Sequence, residues 1–223
     1  MKLWKKIGLT LGAILLVTVL SIAGIVAYVT SNVTTLSPEE SVQLMEEAQK
    51  RGPDPDYEPS KVRAHPVARK LMNEDFFWNI LDDNAPFGND DGADTLSYWR
   101  KWRRANPHGK VMDFIADIFQ RYDVSYPEWE RKSGNVAPID FVGILTTSMG
   151  NNVVIATTFG QLMDEGYVEP ELATLARKAI ANEKNMVMIK RWKEPKEREK
   201  RLAILESIVD KAPQTSPPKA KSY

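Results

Sequence analysis

Two stretches of 23 residues in this chain carry no charge, and they constrain the fold in different ways. The first, Ile7 to Val29, is mostly Leu, Ile, Val, Ala and Gly. At about 1.5 Å per residue, a helix of that length spans the roughly 30 Å hydrocarbon layer of a bilayer. Lys2, Lys5 and Lys6 precede it, and Glu39, Glu40, Glu46 and Glu47 come before the next base, Lys50. This asymmetry predicts a transmembrane anchor over 7–29 in the cytoplasmic membrane, with residues 1–6 inside and the rest of the chain outside. The alternative is a signal peptide cut after Ser21-Ile22-Ala23, which would release a secreted or periplasmic protein. The apolar run continues to Val29, which is long for that reading. Gly8 and Gly12 form a GxxxG pair through which two anchors could associate as a homodimer.

The second run, Phe141 to Met163, is different in kind. Asn151 and Asn152 sit near its middle, with Gln161 and four threonines. Polar groups are costly in hydrocarbon, and no basic flank orients the segment. A buried helix, or two helices broken near Gly150, is the expectation.

Composition narrows the function classes. Thirty basic residues balance thirty acidic ones, without the basic excess that usually marks a nucleic-acid binder. There is no cysteine, so disulfides and thiolate chemistry are excluded.

Helix signals dominate the rest. Ser37-Pro38-Glu39-Glu40 opens a helix over 38–51 inside a tether of residues 30–60, which ends in proline-punctuated extended chain. A globular domain is expected over 61–211. It should hold a short helix after Pro66 capped by His65, and an amphipathic helix over 111–122. Val111, Phe114, Ile115, Ile118, Phe119 and Tyr122 of that helix face the core. Helices over 170–184 and 196–211 follow, then a disordered tail at 212–223. No alternating strand pattern and no repeat occurs. The predicted class is all-α: a transmembrane helix followed by a multi-helix extracytoplasmic domain.

Residues 84–107 concentrate the chemistry. A helix starting near Asp90 would be capped by that aspartate, with Asp91 and Asp94 in its first turn and Arg103 and Arg104 in its last. Leu96, Tyr98, Trp99 and Trp102 fall on one arc, with Arg100, Lys101 and Arg104 on a solvated opposite face. Single-stranded nucleic acid would need bases and aromatics on one surface, so no nucleic-acid partner is expected. From Leu71 to Tyr98 there are seven acids and no base. Asp83, Asn89, Asp90, Asp91 and Asp94 are therefore the candidate binding residues. Asp90, Asp91 and Asp94 are the candidate ligands for calcium or another divalent cation, although the spacing of an EF-hand is absent. No GxSxG, P-loop or HExxH motif occurs, and His108 lies in an Asn-Pro-His-Gly turn.

His65-Pro66, Asp75-Phe76-Phe77-Trp78 and the run Ala85 to Gly92 resemble the uncharacterised bacterial YfeS-like family. The aromatic, basic stretch Trp99–Arg104 and the segment from Phe159-Gly160-Gln161-Leu162 to Glu171-Leu172 extend the likeness over roughly residues 62–210. The resemblance implies a helical module with a site at the Asp/Gly turn and no established activity. Some relatives carry a WGR nucleic-acid module, and this chain lacks that tripeptide.

The favoured reading is a membrane-anchored helical domain that binds a protein partner, without catalysis or a cofactor. Its rivals are a metal-dependent hydrolase using the Asp-rich turn and a calcium-stabilised structural module.

Overall fold

In a computed structural model of the chain, the described residues are Ser37, 54–132 and 141–216, with the side chains of 131, 132, 141 and 142 excepted. The expected anchor over 7–29, the cleavage site at Ala23 and the helix over 38–51 lie outside them. Apart from Ser37, these residues belong to the unit Pro53–Tyr223.

The second uncharged run forms a single helix, α5 (Phe141–Glu165), and the rest of the unit is built around it. From Val153 to Met163 every residue of α5 is buried, which is how a helix apolar on all sides must be placed. Its polar residues are satisfied within the protein. Thr147, Thr157 and Thr158 donate their hydroxyls to the carbonyls of Gly143, Val153 and Val154 one turn earlier, at 2.7–2.8 Å. Among the described residues, no helix is long and apolar enough to cross a membrane.

In chain order the other helices are α1 (Pro66–Leu71), α2 (Asp90–Ala105), α3 (Val111–Arg121), α4 (Tyr126–Lys132), α6 (Pro170–Glu183), α7 (Met186–Ile189) and α8 (Pro195–Lys211). A 3₁₀ turn, Asp75–Trp78, lies between α1 and α2. No strand occurs among the described residues, as the sequence pattern predicts. α5 packs against α2 and α6 most extensively, and against α1, α3 and α4. α8 covers the outer side of α6.

Local chemistry sets the helix ends. Proline opens α1, α6 and α8 at the first turn, where its missing N–H costs nothing. His65 caps α1 through Nδ1, which accepts the Val67 N–H at 3.3 Å. Its ring lies over Gly166, the residue past α5, whose φ of +79° and lack of a side chain leave room for the imidazole. The expected core face of α3 holds from Val111 to Phe119, while Tyr122 is the half-buried C-cap. α4 and α7 have no counterpart in the sequence reading. The helix does not break at Gly150. Instead that glycine makes a seat: a Cβ there would lie 2.5 Å from the indole of buried Trp129 on α4. Gly160 gives a shallower seat to Trp99 on α2, at 3.2 Å.

Both ends of the unit hold more structure than the sequence indicates. Residues 54–60, expected as the end of an extended tether, turn back onto α2. Arg100 donates to the carbonyls of Pro55, Asp56 and Glu58 at 2.7–3.1 Å. At the other end Ala212 is buried, and the Pro213 carbonyl accepts the Val168 N–H at 2.8 Å.

Gly150→Ala tests the seat. Helix propensity alone favours alanine by about 1 kcal/mol, and overpacking costs about 1–3 kcal/mol. Urea denaturation is expected to show net destabilisation; a more stable variant would mean the indole does not need the space.

Candidate functional site

The aspartate- and glycine-rich turn is built from alternate plugs and close approaches. Ala85 and Phe87 are buried in the core. Gly88 and Gly92 stand where backbone meets backbone: a Cβ on Gly88 would lie 1.8 Å from the Asp82 carbonyl oxygen, and one on Gly92 2.3 Å from that of Pro86. Asp82 Oδ1 accepts the backbone N–H and the side-chain amide of Asn84 at 3.0 and 3.1 Å. Asn79 Oδ1 holds the Leu81 N–H at 2.9 Å. The tip is thereby fixed with Leu81 86% exposed and Ile80 51% exposed.

The structure separates the predicted residues. The cap of α2 is Asn89, whose Oδ1 accepts the Gly92 N–H at 2.9 Å; Asp90, expected to cap, sits in the first turn and is exposed. An amide oxygen serves a helix N-terminus as well as a carboxylate does, so the sequence could not rank the two neighbours. Asp91 is half-buried and accepts from Asn152 Nδ2 on α5 at 3.1 Å, while its carbonyl accepts the Thr95 hydroxyl. Asp94 lies one turn on, near Tyr122. Burial first, then the charges of Asp94 and Asp91, pushes the Tyr122 hydroxyl above the usual tyrosine range. Asp83 is exposed and lies with Asp82 near Arg198, whose cation both favour. Asp91 therefore meets a side chain of α5 and Asp94 lies near the C-cap of α3, whereas Asp83 and Asp90 are exposed. Among the described residues, no three of His, Asp and Glu converge in a way that would hold a metal ion.

The bases missing from 71–98 come from α8. Arg198 donates to Glu183 Oε2 at 3.1 Å and to the Asn84 carbonyl at 3.4 Å, and lies 3.9 Å from the centre of the Trp192 ring. Arg201 pairs with Glu74 at 2.9 Å and covers the ring of Phe76. The Glu183–Arg198 pair is deeply buried, with side chains 1% and 4% exposed. Burial lowers the Arg198 pKa, and Glu183 opposes that shift. Glu183 in turn accepts from Asn151 Nδ2 at 2.9 Å, and Asn151 Oδ1 accepts from Trp129 Nε1 and Asn182 Nδ2. One polar chain thus runs from the middle of α5 to the Asp/Gly turn. The sequence reading missed it, although Asn151 marked its origin.

The basic face predicted for α2 is corrected in the same way. Its arginines clamp neighbouring segments and are not simply solvated. Arg100 grips Asp164 through two nitrogens at 3.1 and 3.2 Å. Arg103 pairs with Glu165 at 2.7 Å while its guanidinium covers the rings of Trp99 and Trp102. Arg104 makes a two-toothed contact with Asp56, which holds that carboxyl below the usual aspartate range. The residues form long forks whose partners lie far away in sequence, which local pattern does not reveal.

Fold and site together define an all-helical module wrapped around one buried helix, with an Asp/Gly turn tied down by arginines of its last helix. This chain is similar to the uncharacterised protein YfeS of Escherichia coli. The two are 23% identical over 149 residues, a stretch that makes up 66% of this chain and 59% of YfeS. The resemblance to YfeS-like proteins therefore stands, and the chain spans 59% of that relative's length. No family model and no solved structure matches the chain.

Two measurements test the site. Arg198→Met strands the Glu183 carboxylate in the core and is expected to cost about 3–5 kcal/mol, with partial recovery when Glu183→Gln is added. A single-variant cost below about 1 kcal/mol would show that the pair is not holding the turn. Melting in EDTA and then in calcium, magnesium or zinc is expected to give coincident curves. An ion at 100 times its dissociation constant adds about 2.7 kcal/mol, or roughly 5–10 °C here, and such a shift lost in Asp91→Asn would place a cation at the turn.

Proposed function

We propose that this chain is a single-pass membrane protein that displays its helical domain outside the cytoplasmic membrane and binds a protein partner through the Asp/Gly turn. The observation that carries the reading is the tip of that turn. Two large aliphatic side chains, Ile80 and Leu81, stand in water on a hydrogen-bonded loop. Leu81 forgoes most of the roughly 1.5–3 kcal/mol that full burial of an aliphatic side chain is worth, and the half-exposed Ile80 about half of it, which contact with a partner would recover. Because the loop is pinned by Asn79, Asp82 and the Arg198 contact, little ordering cost remains at binding. Asp83 and Asp90 are exposed around it and favour a partner with basic groups. The uncharged run 7–29 supports the anchor, and the lysines before it support an outside location. A domain of this kind fits an envelope factor, or an immunity-like protein that captures an incoming toxin.

The test uses the full chain in its native membranes, with a photo-crosslinking residue at Leu81. One discrete adduct is expected, reduced at least about tenfold by Ile80→Ser, which removes roughly the burial of one aliphatic side chain. The protein should resist alkaline extraction, and its domain should be digestible from the outer side only. Extraction into the soluble fraction would overturn the anchor; crosslinking unaffected by Ile80→Ser would overturn the role of the tip.

A further inference from the structure

Where α2 and α5 end, two carboxylates share one cation. Gln161, fully buried on α5, donates its side-chain amide to Glu165 Oε2 and to Glu169 Oε1, at 3.1 Å each. Its amide oxygen accepts the Glu169 N–H at 3.0 Å. The two carboxylates therefore lie within about 6 Å of each other, a separation at which like charges favour a proton on one of them. Arg103 is the guanidinium between them, its side chain 16% exposed. Its Nε lies 2.7 Å from Glu165 Oε1 without the alignment of a hydrogen bond. Nη1 donates to the Gly109 carbonyl at 2.6 Å. Nη2 is buried, makes no hydrogen bond and lies 3.8 Å from Glu169 Oε1.

The two acids differ in what faces them. Glu165 is the last residue of α5, at the negative end of that helix's dipole. Glu169 is the N-cap of α6, and its Oε2 accepts the Val111 N–H at the start of α3, at 3.5 Å. Helix N-termini favour a carboxylate and C-termini disfavour one, so the proton goes to Glu165. Burial pushes the Glu165 carboxyl above the usual glutamate range and the charge of Glu169 adds to this, while Gln161, Arg103 and the Tyr167 hydroxyl oppose it. The other charged or titratable groups around the cluster are engaged elsewhere or exposed. Asp164 is gripped by Arg100, the His65 ring lies against Gly166, and His108 and Lys110 are exposed.

We propose that this cluster is a proton-operated joint: when Glu165 takes up a proton, Arg103 passes to Glu169 and fixes that carboxylate on the start of α3. The path is short, because Nη2 is an uncommitted buried donor already facing Glu169. A neutral Glu165 no longer competes for the guanidinium, and one carboxylate is left for one cation. The bond from Nη1 to Gly109 holds the arginine in place during the exchange. The first turn of α3 has no side-chain cap from Lys110, so its hold on Glu169 is the contact that the exchange strengthens. In the unfolded chain Glu165 titrates in the usual range, whereas the native state binds its proton more tightly. The charged form therefore costs stability at neutral pH, and that cost is relieved as the pH falls through the raised value. The joint is tighter in mild acid. The inference is independent of the turn at Leu81 and of membrane anchoring.

The experiment follows hydrogen exchange at the Val111 amide of the full chain as the pH is lowered from about 7.5 to about 5, corrected for the intrinsic effect of pH on exchange. Protection in the wild-type protein is expected to rise at least about threefold. Glu165→Gln, a neutral mimic of the protonated acid, should be protected equally at both ends of the range. Arg103→Lys keeps a cation but lacks the fork, and it should lose the response while remaining folded. It serves as the deciding variant if Glu165→Gln does not fold. Histidine is the other side chain that changes charge in this interval, so His65→Asn combined with His108→Asn should respond as the wild type does. Wild-type protection that does not change with pH would overturn the inference. So would an undiminished response in Glu165→Gln or Arg103→Lys, or a response lost in the folded double histidine variant, which would make histidine the sensor.

Discussion

Between Val153 and Met163 α5 is enclosed on every side and has no solvent face for its polar groups, and that constraint organises much of the domain. The threonines meet it within their own helix, each returning its hydroxyl to a carbonyl one turn back. Asn151 has no such local solution. It takes Trp129 from α4 and Asn182 from α6 as donors, and gives its own amide to Glu183. A buried carboxylate then demands a cation, which α8 supplies as Arg198. Arg198 has donors to spare and uses one on the Asn84 carbonyl. The position of the exposed Asp/Gly turn is thus linked, bond by bond, to an asparagine in the centre of the core.

Arginine performs the same task at several places. Arg198 and Arg201 hold the 74–84 segment to α8, while Arg100 and Arg104 hold residues 54–58 to α2. In each case a planar fork bridges segments far apart in sequence, and the aromatic faces of Trp192 and Phe76 support the guanidinium groups of Arg198 and Arg201. The balanced charge of the chain is therefore a structural property as well as a compositional one. Many of its acids and bases are separated in sequence and paired in space, while Asp83 and Asp90 of the Asp/Gly turn stay exposed.

Local physics made most helices legible. Proline at the first turn, a side-chain cap and a 3.6-residue apolar period act within a few residues, so α1, α2, α3, α6 and α8 fall close to their expected bounds. The misreadings share a cause. α4 is a short helix whose stability comes from Trp129 seated on α5, and no isolated stretch of seven residues signals that. Of the two alternatives for the run 141–163 the single helix holds, and the value of Gly150 lies in the space it leaves for a ring 21 residues earlier. The candidate site was legible as composition, in the acids and glycines of 82–94, but not as geometry. Which aspartate faces water and which meets Asn152 depends on α5, more than sixty residues away.

By itself the sequence determined that the domain is helical and where most of its helices begin, and it favoured a buried helix within the run 141–163, because periodicity, capping and the cost of exposing apolar surface act within a short stretch of chain. Tertiary structure alone decided the partners of Asn151, Glu183 and the arginines, and with them which acids of the turn are left exposed. Charge pairing and packing depend on distance in space, and the chain brings those groups together only when it folds.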